Sequence, residues 1–211
     1  MHSVLKSWNK ARWLNHPLSL KALHEVLLKE WTEQKTRDPV EWEDDEEEAE
    51  KLTAWRLCDL YLRDCGFAPS IKPDAVEVPM EMDLHHHGLP RLIGIIDLVQ
   101  EQRIIDFKTS ATTPNAEKVA HTHETQTSIY AMLYREANGH HESGLELHHL
   151  VKLKNPKLCI TQLPPMNQPQ QTRLFRLLES YVDGLDRRDF IPSPGMACAS
   201  CEFFNECRTW H

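Results

Sequence analysis

Asp97, Asp106 and Lys108 are the residues of this sequence whose types and spacing could do chemistry. They lie in the run Gly94-Ile-Ile-Asp97-Leu-Val-Gln-Glu-Gln-Arg-Ile-Ile-Asp106-Phe-Lys108. Two carboxylates held close together repel each other, and a hard divalent cation such as Mg²⁺ or Mn²⁺, which prefers oxygen ligands, relieves that repulsion. A lysine two residues from a metal-binding acid can orient an attacking water and stabilise the negative charge that develops during hydrolysis. Without a cation, the same acids are solvated groups on the outer face of an ordinary hairpin.

That chemistry needs a particular backbone. Leu92 to Val99 and Arg103 to Phe107 are rich in β-branched residues and flank a short polar turn, the pattern of a β-hairpin. If Glu101 and Gln102 form a two-residue loop, position 100 faces 103, 99 faces 104 and 97 faces 106. Asp97 and Asp106 then stand opposite each other, with Cβ atoms about 4.5 to 5.5 Å apart. Alternation puts Lys108 on the face of Asp106, and Ile96, Leu98, Ile105 and Phe107 on the other. Glu-Gln is not a favoured pair for such a loop, and a slip of one residue would separate the two acids.

Around the hairpin the apolar spacing alternates between helical and extended. It predicts helices over 18–34, 45–65, 121–136 and 170–187, and strands over 75–84, 145–153 and 158–163. The expected fold class is α/β, a small mixed β-sheet flanked by helices, in one domain over 1–211 with a Cys-rich tail at 192–211. At 211 residues the chain can bury a substantial core. No run approaches a membrane span and the first residues lack the apolar stretch of a signal peptide, so a cytoplasmic location is expected. In that compartment six cysteines are metal ligands or free thiols rather than disulfides.

The formal net charge of −8 does not advertise a nucleic-acid binder. Much of it is concentrated in 41–50, which reads as a solvated loop feeding a helix N-terminus. Lys152, Lys154 and Lys157, with Arg173 and Arg176, form the local basic surface that a polyanion would follow. His85-His86-His87 before Gly88 reads as a solvated turn.

The order G-x-x-D, D-x-K, then Gln126-Thr-Ser-Ile-Tyr130 and the group Cys198, Cys201 and Cys207 resembles the PD-(D/E)XK nuclease superfamily, and within it the RecB-like exonucleases. The resemblance implies a restriction-endonuclease-like core and Mg²⁺- or Mn²⁺-dependent hydrolysis of DNA, most simply at single-stranded or free ends, in recombination, repair or phage DNA metabolism. A helicase or recombinase partner is compatible with it. It assigns the metal to Asp97, Asp106 and the carbonyl of Phe107, and Lys108 to the attacking water. Gln126 and Tyr130, at i and i+4 on one helical face, are assigned to the substrate side of the cleft.

The resemblance also offers His24 as a further metal ligand; from its own stripe with Leu20, Leu27 and Leu28 it reads as a core histidine. Glu77 on the preceding strand binds the metal, steadies a ligand or is an exposed strand acid. The C-x2-C-x5-C spacing of Cys198, Cys201 and Cys207 resembles three ligands of a 4Fe-4S cluster, with Cys58 or Cys65 available as the fourth or the N-terminus shortened. A structural zinc completed by His211 competes with it, as do three unliganded thiols. A binding module that holds nucleic acid without cutting, and a metal-cluster structural protein, are the alternatives to an enzyme.

Overall fold

The computed structural model describes residues 1–189, 195, 198 and 201–209. Five strands form one mixed sheet in the order β1-β2-β3-β4-β5: β1 (Ala75–Met82), β2 (Leu92–Gln100), β3 (Arg103–Ser110), β4 (Gly144–Val151) and β5 (Lys157–Leu163). Neighbours are antiparallel except β3 and β4. A parallel pair needs a long crossover, and here it runs through α4 (Ala116–Thr122) and α5 (Glu124–Asn138).

The three N-terminal helices, α1 (His2–Trp13), α2 (Leu20–Arg37) and α3 (Glu46–Asp64), share a core with one face of the sheet, where Val4, Leu5, Leu23, Leu57 and Tyr61 meet Leu98, Ile105, Phe107 and Leu150. On the other face Ile96, Val99, Ile104 and Leu145 pack with Tyr134 of α5. Helix α6 (Gln168–Arg187) lies outside α5, joined to it through Ala131, Met132 and Leu174. A short α7 (Phe204–Arg208) lies in the cysteine-rich tail. Among the described residues no helix is long and apolar enough to cross a membrane.

Helix α1 was not expected from the sequence, although Val4, Leu5, Trp8 and Ala11 form a buried stripe at helical spacing. The start of α6 moves two residues ahead of the expected boundary, because Asn167 and Gln170 form a reciprocal capping box. Residues 85–87 form a single 3₁₀ turn closed by Gly88 at φ +71°, with His87 against Phe175. The acidic run enters the first turn of α3, where Lys35 and Lys51 hold the Glu47 carboxyl down at about 2.

The hairpin keeps the expected register, Leu98 opposite Ile105, Val99 opposite Ile104 and Gln100 opposite Arg103. Glu101 and Gln102 both take positive φ, at +52° and +61°, the geometry of a type I′ turn. Neither residue favours that region, so the surroundings must hold it. Asp74 Oδ2 accepts from the Gln102 amide at 2.7 Å, and the Ser143 hydroxyl and amide donate to the carbonyls of Glu101 and Gln102.

One expectation about faces is corrected. Ile96 does not share the side of Leu98; it packs with Val99 against α5, while Leu98, Ile105 and Phe107 face α1 to α3. The alternation therefore slips at Asp97. The slip coincides with a left-handed residue on the neighbouring strand, where Glu77, between Val76 and Val78 that pair with Leu98 and Ile96, sits at φ +43°.

Candidate active site

The slip in the sheet leaves β2 and β3 parted where the acids lie. Hydrogen-bonded pairing of the hairpin ends at Leu98–Ile105, and the next position is bridged by a side chain: Asp97 Oδ2 accepts from the Phe107 amide at 3.0 Å. Burial raises the Asp97 pKa above the ordinary carboxylate range; the Phe107 amide offsets part of this and the neighbouring Asp106 charge adds to it. Positive φ at a non-glycine strand residue is strain, which persists where the surrounding structure imposes it and clusters at functional sites.

On β3, Asp106 and Lys108 share a face, as alternation requires. The Lys108 ammonium lies 2.7 Å from Asp106 Oδ2 and donates to Gln126 Oε1 at 2.8 Å. Gln126 Nε2 reaches both Asp106 Oδ1 at 3.3 Å and the Tyr130 hydroxyl at 3.0 Å. Four side chains from β3 and α5 thus form one network. Its acid is almost completely buried, with 5% of the Asp106 side chain exposed. Lys108 approaches Oδ2 off the direction of a hydrogen bond, so this buried oxygen has no aligned donor.

Helix α1 supplies what the sequence reading missed. His2 Nδ1 lies 3.8 Å from Asp97 Oδ2 and its ring meets the edge of Phe107, while Lys6, one turn on, pairs with Glu77. His2 and Lys6 are four residues apart and so share a helical face, a spacing that could have been noticed. His24 is not brought to this cluster: its ring packs on Trp55 at 4.6 Å, between α2 and α3. His123 and His149 flank the network on the other side. His149 is the register partner of Lys108 on β4. Burial and then the Lys108 charge lower the His123 pKa; burial lowers that of His149 against an opposing Leu147 backbone hydrogen bond, with the His123 and Lys108 charges adding to the fall.

The donor set suits a hard cation. Mg²⁺ is commonly held through only one or two carboxylates, with water and substrate oxygens completing its shell. Asp106 Oδ2, buried and without an aligned donor, beside the Asp97 carboxylate, meets that description. Among the described residues no three His, Cys, Asp or Glu side chains already form a closed cage.

The cysteine group is not gathered. Cys198, Cys201 and Cys207 are free thiols that form no such cage, and His211 lies outside the described residues. Cys58 and Cys65 are buried in the apolar core under α1, and burial pushes the Cys58 thiol up to about 11, which disfavours the thiolate that a cluster needs.

Comparison with known proteins adds to this geometry. The family model of the PD-(D/E)XK nuclease superfamily matches residues 1–208. The chain belongs to that superfamily. No curated protein matches the nuclease. Among solved structures, the crystal structure of a "Putative exonuclease" from Eubacterium rectale is similar to it, with a TM-score of 0.58 at 13% identity, over 100% of this chain and 76% of the other. At that identity the likeness is one of fold.

Proposed function

We propose that this nuclease hydrolyses phosphodiester bonds of DNA, acting in the cytoplasm as an exonuclease or end-processing enzyme of the RecB-like kind on single-stranded ends. The observation that carries the proposal is the Asp106–Lys108–Gln126–Tyr130 network with its one buried oxygen left without an aligned donor. Mg²⁺ or Mn²⁺ would be held by Asp106, Asp97 and the Phe107 carbonyl, with His2 in the place first given to His24. When bound, the cation neutralises charge on the phosphate and lowers the pKa of a water.

The protein's own groups divide the remaining work. Asp97 is kept in place by the Phe107 amide, and Glu77 by Lys6. Lys108, beside the buried acid, faces the attacking water and the charge that accumulates on the phosphate. Gln126 donates to the Tyr130 oxygen, which leaves the Tyr130 O–H free to donate to a phosphate oxygen. Burial and the Asp106 charge raise the Tyr130 pKa, so that proton is retained.

The test is degradation of 5′- and 3′-labelled single- and double-stranded DNA with Mg²⁺, Mn²⁺ or EDTA. Cation-dependent loss of single strands that EDTA stops is expected. Absence of cleavage by folded protein in either metal would overturn the enzyme reading and leave a DNA-holding module.

A further inference from the structure

A cavity of about 400 Å³ opens between α1, α2 and the segment 38–42, and His2 stands in its wall. The same His2 lies 3.8 Å from Asp97 Oδ2, so the cavity begins where the carboxylate cluster ends. Its apolar lining includes Leu27, Val40 and two indoles, Trp31 and Trp42, whose rings stack at 6.0 Å and 27°. Its polar lining includes Glu30 and Asp38, and its lysine, Lys35, is tied 2.6 Å from Glu47.

This charge pattern decides what can enter. A phosphate would meet two carboxylates and an ammonium already paired. A flat, neutral aromatic group would meet an indole face, and stacking on aromatic side chains holds bases of any sequence. Carboxylates at the rim can accept from the exocyclic amino group of a base. We propose that the cavity is a nucleobase pocket, which stacks on Trp42 one unpaired base of the strand whose backbone lies at Asp97 and Asp106.

The inference rests on the nuclease reading and adds a substrate subsite to it. A base can reach the pocket only if it is not paired, so this subsite would itself select single-stranded or frayed ends.

The test is equilibrium binding of the whole chain, in EDTA to prevent cleavage, to fluorescein-labelled hexadeoxyadenylate and to hexamers each carrying a single abasic residue. Loss of one base is expected to weaken binding by about tenfold or more at one position. Trp42→Ala should weaken the unmodified probe similarly and show no further loss with that abasic probe, since both remove one contact. Trp42→Phe should restore most of the affinity. If no abasic position matters in the wild type, or if the two losses add, the pocket is not a base site, although the nuclease reading stands. If folded wild-type protein binds no hexamer at all, the base pocket falls, and cleavage of labelled DNA in Mg²⁺ or Mn²⁺ decides the nuclease reading separately. The abasic series needs no variant, so misfolding of Trp42→Ala would not shelter the proposal.

Discussion

Asp106 and Lys108 are placed so that removing either should stop turnover and leave the fold. Asp106→Ala and Lys108→Ala should each lower kcat by about a hundredfold or more, with a thermal midpoint within about 4 °C of wild type, the equivalent of about 1 kcal/mol at this size. Circular dichroism melting beside the labelled-DNA assay measures both, and near-normal turnover in the two folded variants would end the assignment. Asp97 differs, because its charge is itself costly to bury. A raised carboxyl pKa means that the native state binds its proton more tightly than the unfolded chain, so stability falls as pH rises from the unfolded pKa through the folded one, and the full cost is present only above the folded pKa. Asp97→Asn removes that charge and keeps an oxygen for the Phe107 amide. It should therefore melt higher than wild type in EDTA and gain less from added Mg²⁺. A lower midpoint in EDTA would show that the carboxylate is not the strained group.

At the scale of elements, the site depends on how closely α5 lies on β2. Gly94 permits this approach: a Cβ there would meet Leu133 Cδ1 at 2.6 Å and Tyr130 Cε1 at 3.7 Å. Leu133 is fully buried and has little space to retreat. Gly94→Ala should cost about 1–3 kcal/mol in denaturant unfolding, as overpacking does, and should also lower kcat by moving the helix that carries Gln126 and Tyr130. Unchanged stability and turnover would mean that α5 shifts freely. The other end of that helix is anchored, since Arg135 grips the buried Glu142 through two hydrogen bonds of 2.7 and 2.8 Å, and Glu142 in turn accepts from the Met166 amide.

Across the molecule, a buried polar chain ties the layers together behind the site. Glu146 on β4 accepts from His148 Nε2 at 2.7 Å and from Arg103 of β3, and in the neutral ring His148 Nδ1 accepts from the Tyr61 hydroxyl of α3 at 3.1 Å. Burial acts to raise the Glu146 pKa, but the His148 and Arg103 hydrogen bonds outweigh it and lower the carboxyl below its ordinary value. A depressed acid stabilises the fold above its unfolded pKa of roughly 4.3, and that contribution is lost as pH falls through the lower folded value. Glu146→Gln should cost about 1.5–3 kcal/mol at neutral pH and flatten the acid limb of the stability profile. An identical pH profile for the variant would dismiss the chain as a source of acid sensitivity. The basic surface is less free than its sequence suggests, because Lys152 pairs with Glu50 and Arg173 with Glu124.

The sequence by itself determined the hairpin, its register and the side on which Asp106 and Lys108 stand, because strand alternation and a two-residue loop are local rules that a few neighbouring residues satisfy. It also determined that Gln126 and Tyr130 share a face, since i and i+4 fix that within one helix. Tertiary structure decided the rest. No local pattern relates position 2 to position 97, so the histidine that reaches Asp97 is His2 on a helix the apolar spacing understated, while His24 turns to Trp55. The slip at Asp97 lies across from the left-handed backbone of Glu77 on the neighbouring strand, a strain that composition does not encode. Whether a carboxylate is solvated or buried beside another depends on which layers close over it, and that is a property of the packed sheet and helices rather than of the residues that flank it.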